Sequence, residues 1–195
     1  MIDLEHLSRL NVGCRILLLV LMIPLSGNAD ELILTYGGGT QEGSHQRNTA
    51  VGVDFAFYKH ERSQRQHLLV GVSYSYLSTD TPANDHIHAF SIYPQVSLFP
   101  NSDGKLAGTF PEWTKPYFFI RALGASYISA NRLGEREQAN HFAFQAQIGI
   151  GLQLDFGQER KGIVSLSWKH FSNANLFSDN DGFDFPIVLS LGVKL

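Results

Sequence analysis

From Phe142 to Leu154 the side chains alternate without a break: Phe142, Phe144, Ala146, Ile148, Ile150, Leu152 and Leu154 share one phase, and Ala143, Gln145, Gln147, Gly149, Gly151 and Gln153 share the other. A strict period of two sends alternate side chains to opposite faces of a strand and excludes a helical stripe. One face is continuously apolar and the other holds only Gln and small residues, as a narrow barrel with a polar lumen requires. The pattern recurs with Val51, Val53, Phe55 and Phe57 against Ala50, Gly52, Asp54 and Ala56, and with Val70, Val72, Tyr74 and Tyr76 against Leu69, Gly71, Ser73 and Ser75. It continues through His88, Phe90, Ile92, Val96 and Leu98, where Pro94 falls in the apolar phase. A proline lacks the ladder N–H, so a bulge or gap is expected there. Adding Leu32 to Tyr36, Tyr117 to Ile128, Ile163 to His170 and Ile187 to Leu195 gives eight strands. The predicted fold is all-β, an eight-stranded antiparallel outer-membrane β-barrel.

Aromatic residues near strand ends are read as interfacial girdles: Tyr74 and Tyr76, Phe55 and Phe57, and Tyr117 to Phe119. Arg121 must then face the lumen or snorkel, and Asp54 and Lys194, on inward faces, predict internal ion pairing. With the N-terminus on the periplasmic side, the connection from Ser172 to Phe183 is exterior, and that from Phe99 to Lys115 is an unusually long inner turn with room for a short helix.

Composition narrows the field. The chain has 195 residues, 17% of them charged, and a net charge of -3, so one domain is expected and no basic stripe points to nucleic acid. Residues 1–29 read as a cleavable signal peptide: Arg9 and Arg15 precede an apolar run from Ile16 to Leu25, then Ser26, Gly27, Asn28 and Ala29. The run is too short to span a bilayer as a helix. Cleavage after Ala29 leaves residues 30–195 as an exported outer-membrane barrel without Cys14, the sole cysteine, and therefore without a thiol nucleophile. No metal or other cofactor is called for.

The dense polar cluster is His170-Phe171-Ser172-Asn173-Ala174-Asn175, followed by Asn180-Asp181-Gly182-Phe183-Asp184. Metal-free ester hydrolysis needs a nucleophile, a base, a group orienting the base and donors for an oxyanion. His170 and Ser172, two apart on a strand, project from one face, and a returning hairpin brings residue 184 beside them. They continue the apolar phase of Val164, Leu166 and Trp168, where an ionisable side chain is costly and marks a functional candidate. Asp184 lies in the phase opposite to Ile187, Leu189 and Leu191, and Pro186 is the expected place for a bulge that restores it. His86 and His88 share a face but make only a two-ligand set.

At these residues the chain resembles the lipid A 3-O-deacylase (PagL) family of eight-stranded barrels, with their His-x-Ser-Asn-Ala-Gly run, then Asn-x-Gly and a Glu two residues on. The matching positions are His170, Ser172, Asn173, Ala174, Asn180, Gly182 and Asp184, over about fifteen residues. The resemblance implies a serine esterase acting on the 3-O-linked acyl ester of lipid A, with lipopolysaccharide and outer-membrane lipid as its partners. Ser172 would be the nucleophile, His170 the base and Asp184 the orienting acid, with the backbone at Asn173 and Asn175 and the Asn180 side chain as oxyanion donors. Two positions depart from the family: Asp184 replaces Glu and is one methylene shorter, and Asn175 replaces Gly. Two other readings stay open, a non-catalytic structural or adhesive barrel and a soluble lipocalin-like acyl binder, as does a homodimer.

Overall fold

The computed structural model describes residues 31–100, 109–157 and 160–195. The leader read at residues 1–29, with Cys14, lies outside the described residues, as does the middle of the connection with room for a helix. Eight strands close into one barrel: β1 (Glu31–Thr40), β2 (Arg47–Ser63), β3 (Gln66–Thr79), β4 (His86–Leu98), β5 (Thr114–Ile128), β8 (Phe142–Asp155), β9 (Lys161–Ser172) and β10 (Phe183–Lys194). Two short strands, β6 (Arg132–Leu133) and β7 (Arg136–Glu137), form a separate ribbon in the β5–β8 connection. Every neighbouring pair is antiparallel, and β1 closes the barrel on β10.

The alternation read in the sequence sets the two faces. Gln145 and Gln147 are buried in the lumen, whereas Ile148 and Ile150 are 41% and 63% exposed on the outside. Leu34, Ile92, Ile187 and Leu191 are likewise exposed, so the outer face is apolar around the barrel, as a membrane barrel requires and a soluble lipocalin-like one does not. The lumen is filled in layers. At the β9–β10 loop end, Leu77, Ile87, Ile128, Phe171, Phe183 and Phe185 form an apolar plug closed by Leu133 from the ribbon. Mid-barrel is polar: Arg121 pairs with Asp54 at 2.6 Å, bonds Gln95 and lies 3.5 Å from the centre of the Tyr93 ring. The far end holds Ile33, Tyr117, Phe119 and Ile163, with Glu31 paired to Lys194.

Asp54 and Lys194 thus belong to two ion pairs, with Arg121 and Glu31 as their partners. Tyr117 and Phe119 correct the girdle reading: they are 8% and 3% exposed and point inward. The inner phase of β8 makes room for them, since a Cβ on Gly151 would sit 2.5 Å from the Tyr117 ring and one on Gly149 would sit 2.9 Å from the Phe119 ring. Phe185 is also inward, on the lumen side of a bulge and not in the lipid phase.

Apart from one at the β2–β3 hairpin end, between Glu61 and Ser63, three bulges within the barrel wall reset the phase. One lies in β2 between Ala56 and Tyr58. A second adds a residue to β5 between Arg121 and Gly124, with Leu123 at φ 54°. It faces β4 across the Ile92 to Gln95 interval, where Pro94 supplies no ladder N–H. The third lies in β10 between Phe185 and Val188, beside Pro186.

Candidate active site

The β10 bulge is what assembles the site. Below it Val188 and Ser190 face the lumen; above it Phe183 and Phe185 do, which turns Asp184 to the outer face. There it pairs directly with His170 of β9, while Ser172 stands opposite Phe144 of β8. Lys169 and Phe171, on either side of His170 in sequence, are fully buried inside. The outward phase of His170 and Ser172 therefore holds, and Asp184 has joined it.

His170 Nδ1 lies 2.8 Å from Asp184 Oδ1. A carboxylate only accepts, so the shared proton sits on Nδ1 and Nε2 remains the basic nitrogen. The imidazole stacks on Trp168, with ring centres 5.1 Å apart and 16° between the planes. Gly182, at φ 67°, lies against its edge: a Cβ there would be 2.7 Å from His170 Cε1. Ser172 projects from the same face two residues on, and among the described residues its hydroxyl has no hydrogen bond to His170.

The loop from Asn173 to Gly182 is tied together by its own amides. Ala174 and Asn175 are both left-handed, at φ 54° and 60°, a conformation Asn tolerates better than most residues. The Asn173 N–H donates to Asn180 Oδ1 at 2.8 Å, and Asn180 Nδ2 donates to Asn175 Oδ1 at 2.8 Å. A carboxamide has two N–H bonds, so Asn180 keeps one to give. Of the three expected oxyanion donors, the Asn173 N–H is thus engaged in orienting Asn180. The Asn175 N–H has no acceptor among the described residues.

Two elements that the sequence reading passed over hold this loop. The ribbon runs alongside it: Gln138 bridges Asn180, the Ala139 N–H donates to Asp179 O and the Asp181 N–H to Glu137 O. From the β1–β2 connection, Gln41 Nε2 donates to Asp184 Oδ2 at 2.7 Å, and the Asp184 N–H donates back to Gln41 Oε1 at 2.9 Å. The only available signal was topological, since closure of β1 on β10 places the first connection next to the last. His86 and His88 sit elsewhere on the outer face, bonded to Asp85 and to the Tyr74 hydroxyl. No group of three His, Cys, Asp or Glu suited to a metal occurs among the described residues.

Fold and site together define a class: a membrane-type β-barrel that carries a histidine–carboxylate pair and a serine on its lipid-facing side. Within it, the chain belongs to the lipid A 3-O-deacylase (PagL) family, whose model matches residues 50–194. The lipid A deacylase PagL of Bordetella bronchiseptica is 32% identical over 73 residues, which are 37% of this chain and 39% of that protein. A crystal structure of the outer membrane enzyme PagL shares the fold, with a TM-score of 0.55 at 22% identity over 85% of this chain and 98% of that one.

Proposed function

We propose that this protein is a lipid A 3-O-deacylase of the outer membrane, delivered by a cleaved signal peptide, and that it works as a serine esterase through Ser172, His170 and Asp184. The observation that carries the reading is the His170–Asp184 pair on the lipid-facing side of the barrel, two residues from Ser172 on the same face. Trp168, Leu166 and Ile187 are exposed around it, and Leu176 and Phe177 are exposed in the loop above, a setting for an acyl chain and not for a soluble ester.

In the reaction, Ser172 Oγ attacks the ester carbonyl carbon while His170 Nε2 takes its proton. Asp184 holds the imidazole by Nδ1 and stabilises its charged form. The negative oxygen of the tetrahedral intermediate is met by the Asn175 N–H and the second N–H of Asn180, with the Asn173 N–H fixing the Asn180 side chain. Collapse expels the sugar 3-hydroxyl, which receives the proton from His170. A water molecule, deprotonated by the same nitrogen, then attacks the acyl-serine, releasing the fatty acid and restoring Ser172.

The test is incubation of the purified barrel with lipopolysaccharide. Release of one fatty acid per lipid A by the parent, and none by Ser172→Ala, is the expected result. Equal release by both would leave a barrel whose activity, if any, lies elsewhere.

A further inference from the structure

We infer that Gln41 is a positioning residue for the Asp184–His170 pair, and that its orientation is imposed by a chain of carboxamides anchored on the β6–β7 ribbon. The inference rests on the esterase reading for its kinetic consequence but not for its geometry.

The chain can be followed bond by bond. The Glu135 backbone N–H donates to Gln46 Oε1 at 2.8 Å. Gln46 Nε2 donates to Asn48 Oδ1 at 2.8 Å, Asn48 Nδ2 to Gln41 Oε1 at 2.7 Å, and Gln41 Nε2 to Asp184 Oδ2 at 2.7 Å. His170 Nδ1 completes the row on Asp184 Oδ1 at 2.8 Å. Gln41, Gln46 and Asn48 are 2%, 3% and 1% exposed, so water cannot readily replace any of these partners.

The sense of an amide side chain is fixed only by what surrounds it. A backbone N–H can only donate, so the Glu135 N–H holds the Gln46 oxygen toward the ribbon, and each amide after it must point its NH2 group one step closer to Asp184. At the other end the Asp184 N–H also donates to Gln41 Oε1 and sets the same sense independently. Reversing Gln41 would place its oxygen against the carboxylate. Aligned amides polarise one another, which strengthens the last donor of the row.

The consequence is local. Asp184 is half-buried, and only one of its oxygens faces His170; Gln41 holds the other and prevents the carboxylate from rotating away. A buried acceptor that loses its donor is costly, so without Gln41 the carboxylate turns toward other partners and the imidazole loses its anchor. The extracellular ribbon thereby becomes part of the catalytic support although it hydrogen-bonds to none of the three reacting side chains.

The experiment uses the whole barrel in detergent micelles and reads two quantities: lipid A deacylation, and the low-field NMR signal of the proton between His170 and Asp184. Gln41→Met keeps the length of the side chain and removes both polar atoms. It is expected to lower kcat by roughly tenfold to a hundredfold while KM stays within about twofold, because the loss is of orientation and not of substrate binding. The His170 proton signal should broaden or vanish, as in Asp184→Ala. Asn48→Leu should act in the same direction, since it removes the donor to Gln41 Oε1 and also the Asn48 Nδ2 bond to the Asp184 carbonyl at 3.1 Å. A Gln41→Met barrel with parental kcat and an unchanged proton signal overturns the inference. If Gln41→Met does not fold, the same two readouts on Asn48→Leu decide it. If the parent itself fails to deacylate lipid A, the esterase reading falls, and the proton signal alone still tells whether Gln41 holds the pair.

Discussion

Gly182→Ala puts a single methyl group at the edge of His170, the proposed base. The added Cβ would stand 2.7 Å from His170 Cε1. Carbon atoms settle at about 3.5 Å or more, so the ring must retreat by roughly 0.8 Å. It cannot do so freely, being stacked on Trp168 and bonded to Asp184. The backbone cost of alanine at φ 67° is separate, about 1–2 kcal/mol, and small enough for a closed barrel to bear. A displacement approaching 1 Å at a reacting group costs on the order of a hundredfold in rate. Gly182→Ala is therefore expected to reach the membrane, show the heat-dependent gel shift of a folded barrel, and deacylate lipid A about a hundredfold more slowly with little change in KM. Gly157→Ala is the control. It has φ 74° but nothing within 4 Å of the new Cβ, so it carries the backbone cost without the contact and should keep the parental rate. Parental kcat in Gly182→Ala would show that the His170 position described here is not the one that reacts.

Other variants probe separate parts of the molecule. Asn180→Ala should lower kcat on the order of a hundredfold with KM nearly constant, as loss of a donor to the developing oxyanion does, measured as initial rates of fatty acid release. Asp54→Ala leaves Arg121 buried without its carboxylate and should destabilise the barrel by about 3–5 kcal/mol, whereas Asp54→Leu combined with Arg121→Met should recover most of that, both read from urea titrations in lipid. Leu133→Ala opens the plug beneath the ribbon and should cost about 2 kcal/mol, at the low end for a buried leucine because the ribbon can settle into the space, read by the same titration.

The barrel was legible where one face is uniformly apolar and the other uniformly small or polar, as from Phe142 to Leu154, because there a shift of one residue would expose every buried side chain. The outward phase of His170 and Ser172 followed from Leu166 and Trp168 by the same reasoning, and Pro186 marked the bulge that turns Asp184 outward. Tyr117 and Phe119 were misread because an aromatic ring suits both a girdle and a lumen with glycines opposite. The correct phase was nevertheless present in Arg121, two and four residues further on, for which the lumen was one of the two places open and is where it lies. What periodicity could not supply is contact between segments far apart in the chain. Gln41 meets Asp184 across 143 residues and the Gln46–Glu135 bond spans 89, and neither residue stands out locally. The ribbon at Arg132–Glu137 is likewise too short to show a period, and its stability comes from Leu133 in the plug and from the neighbouring loops.

The proposed removal of the 3-O-linked acyl chain of lipid A by Ser172, served by His170, has a direct chemical readout. Tandem mass spectrometry of lipid A recovered after incubation with the parent barrel and with Ser172→Ala tests it most directly. Loss of one acyl chain from a 3-position with the parent, and unchanged lipid A with the folded Ser172→Ala barrel, is the expected result. Unchanged lipid A with the folded parent, or the same loss with both proteins, would contradict it.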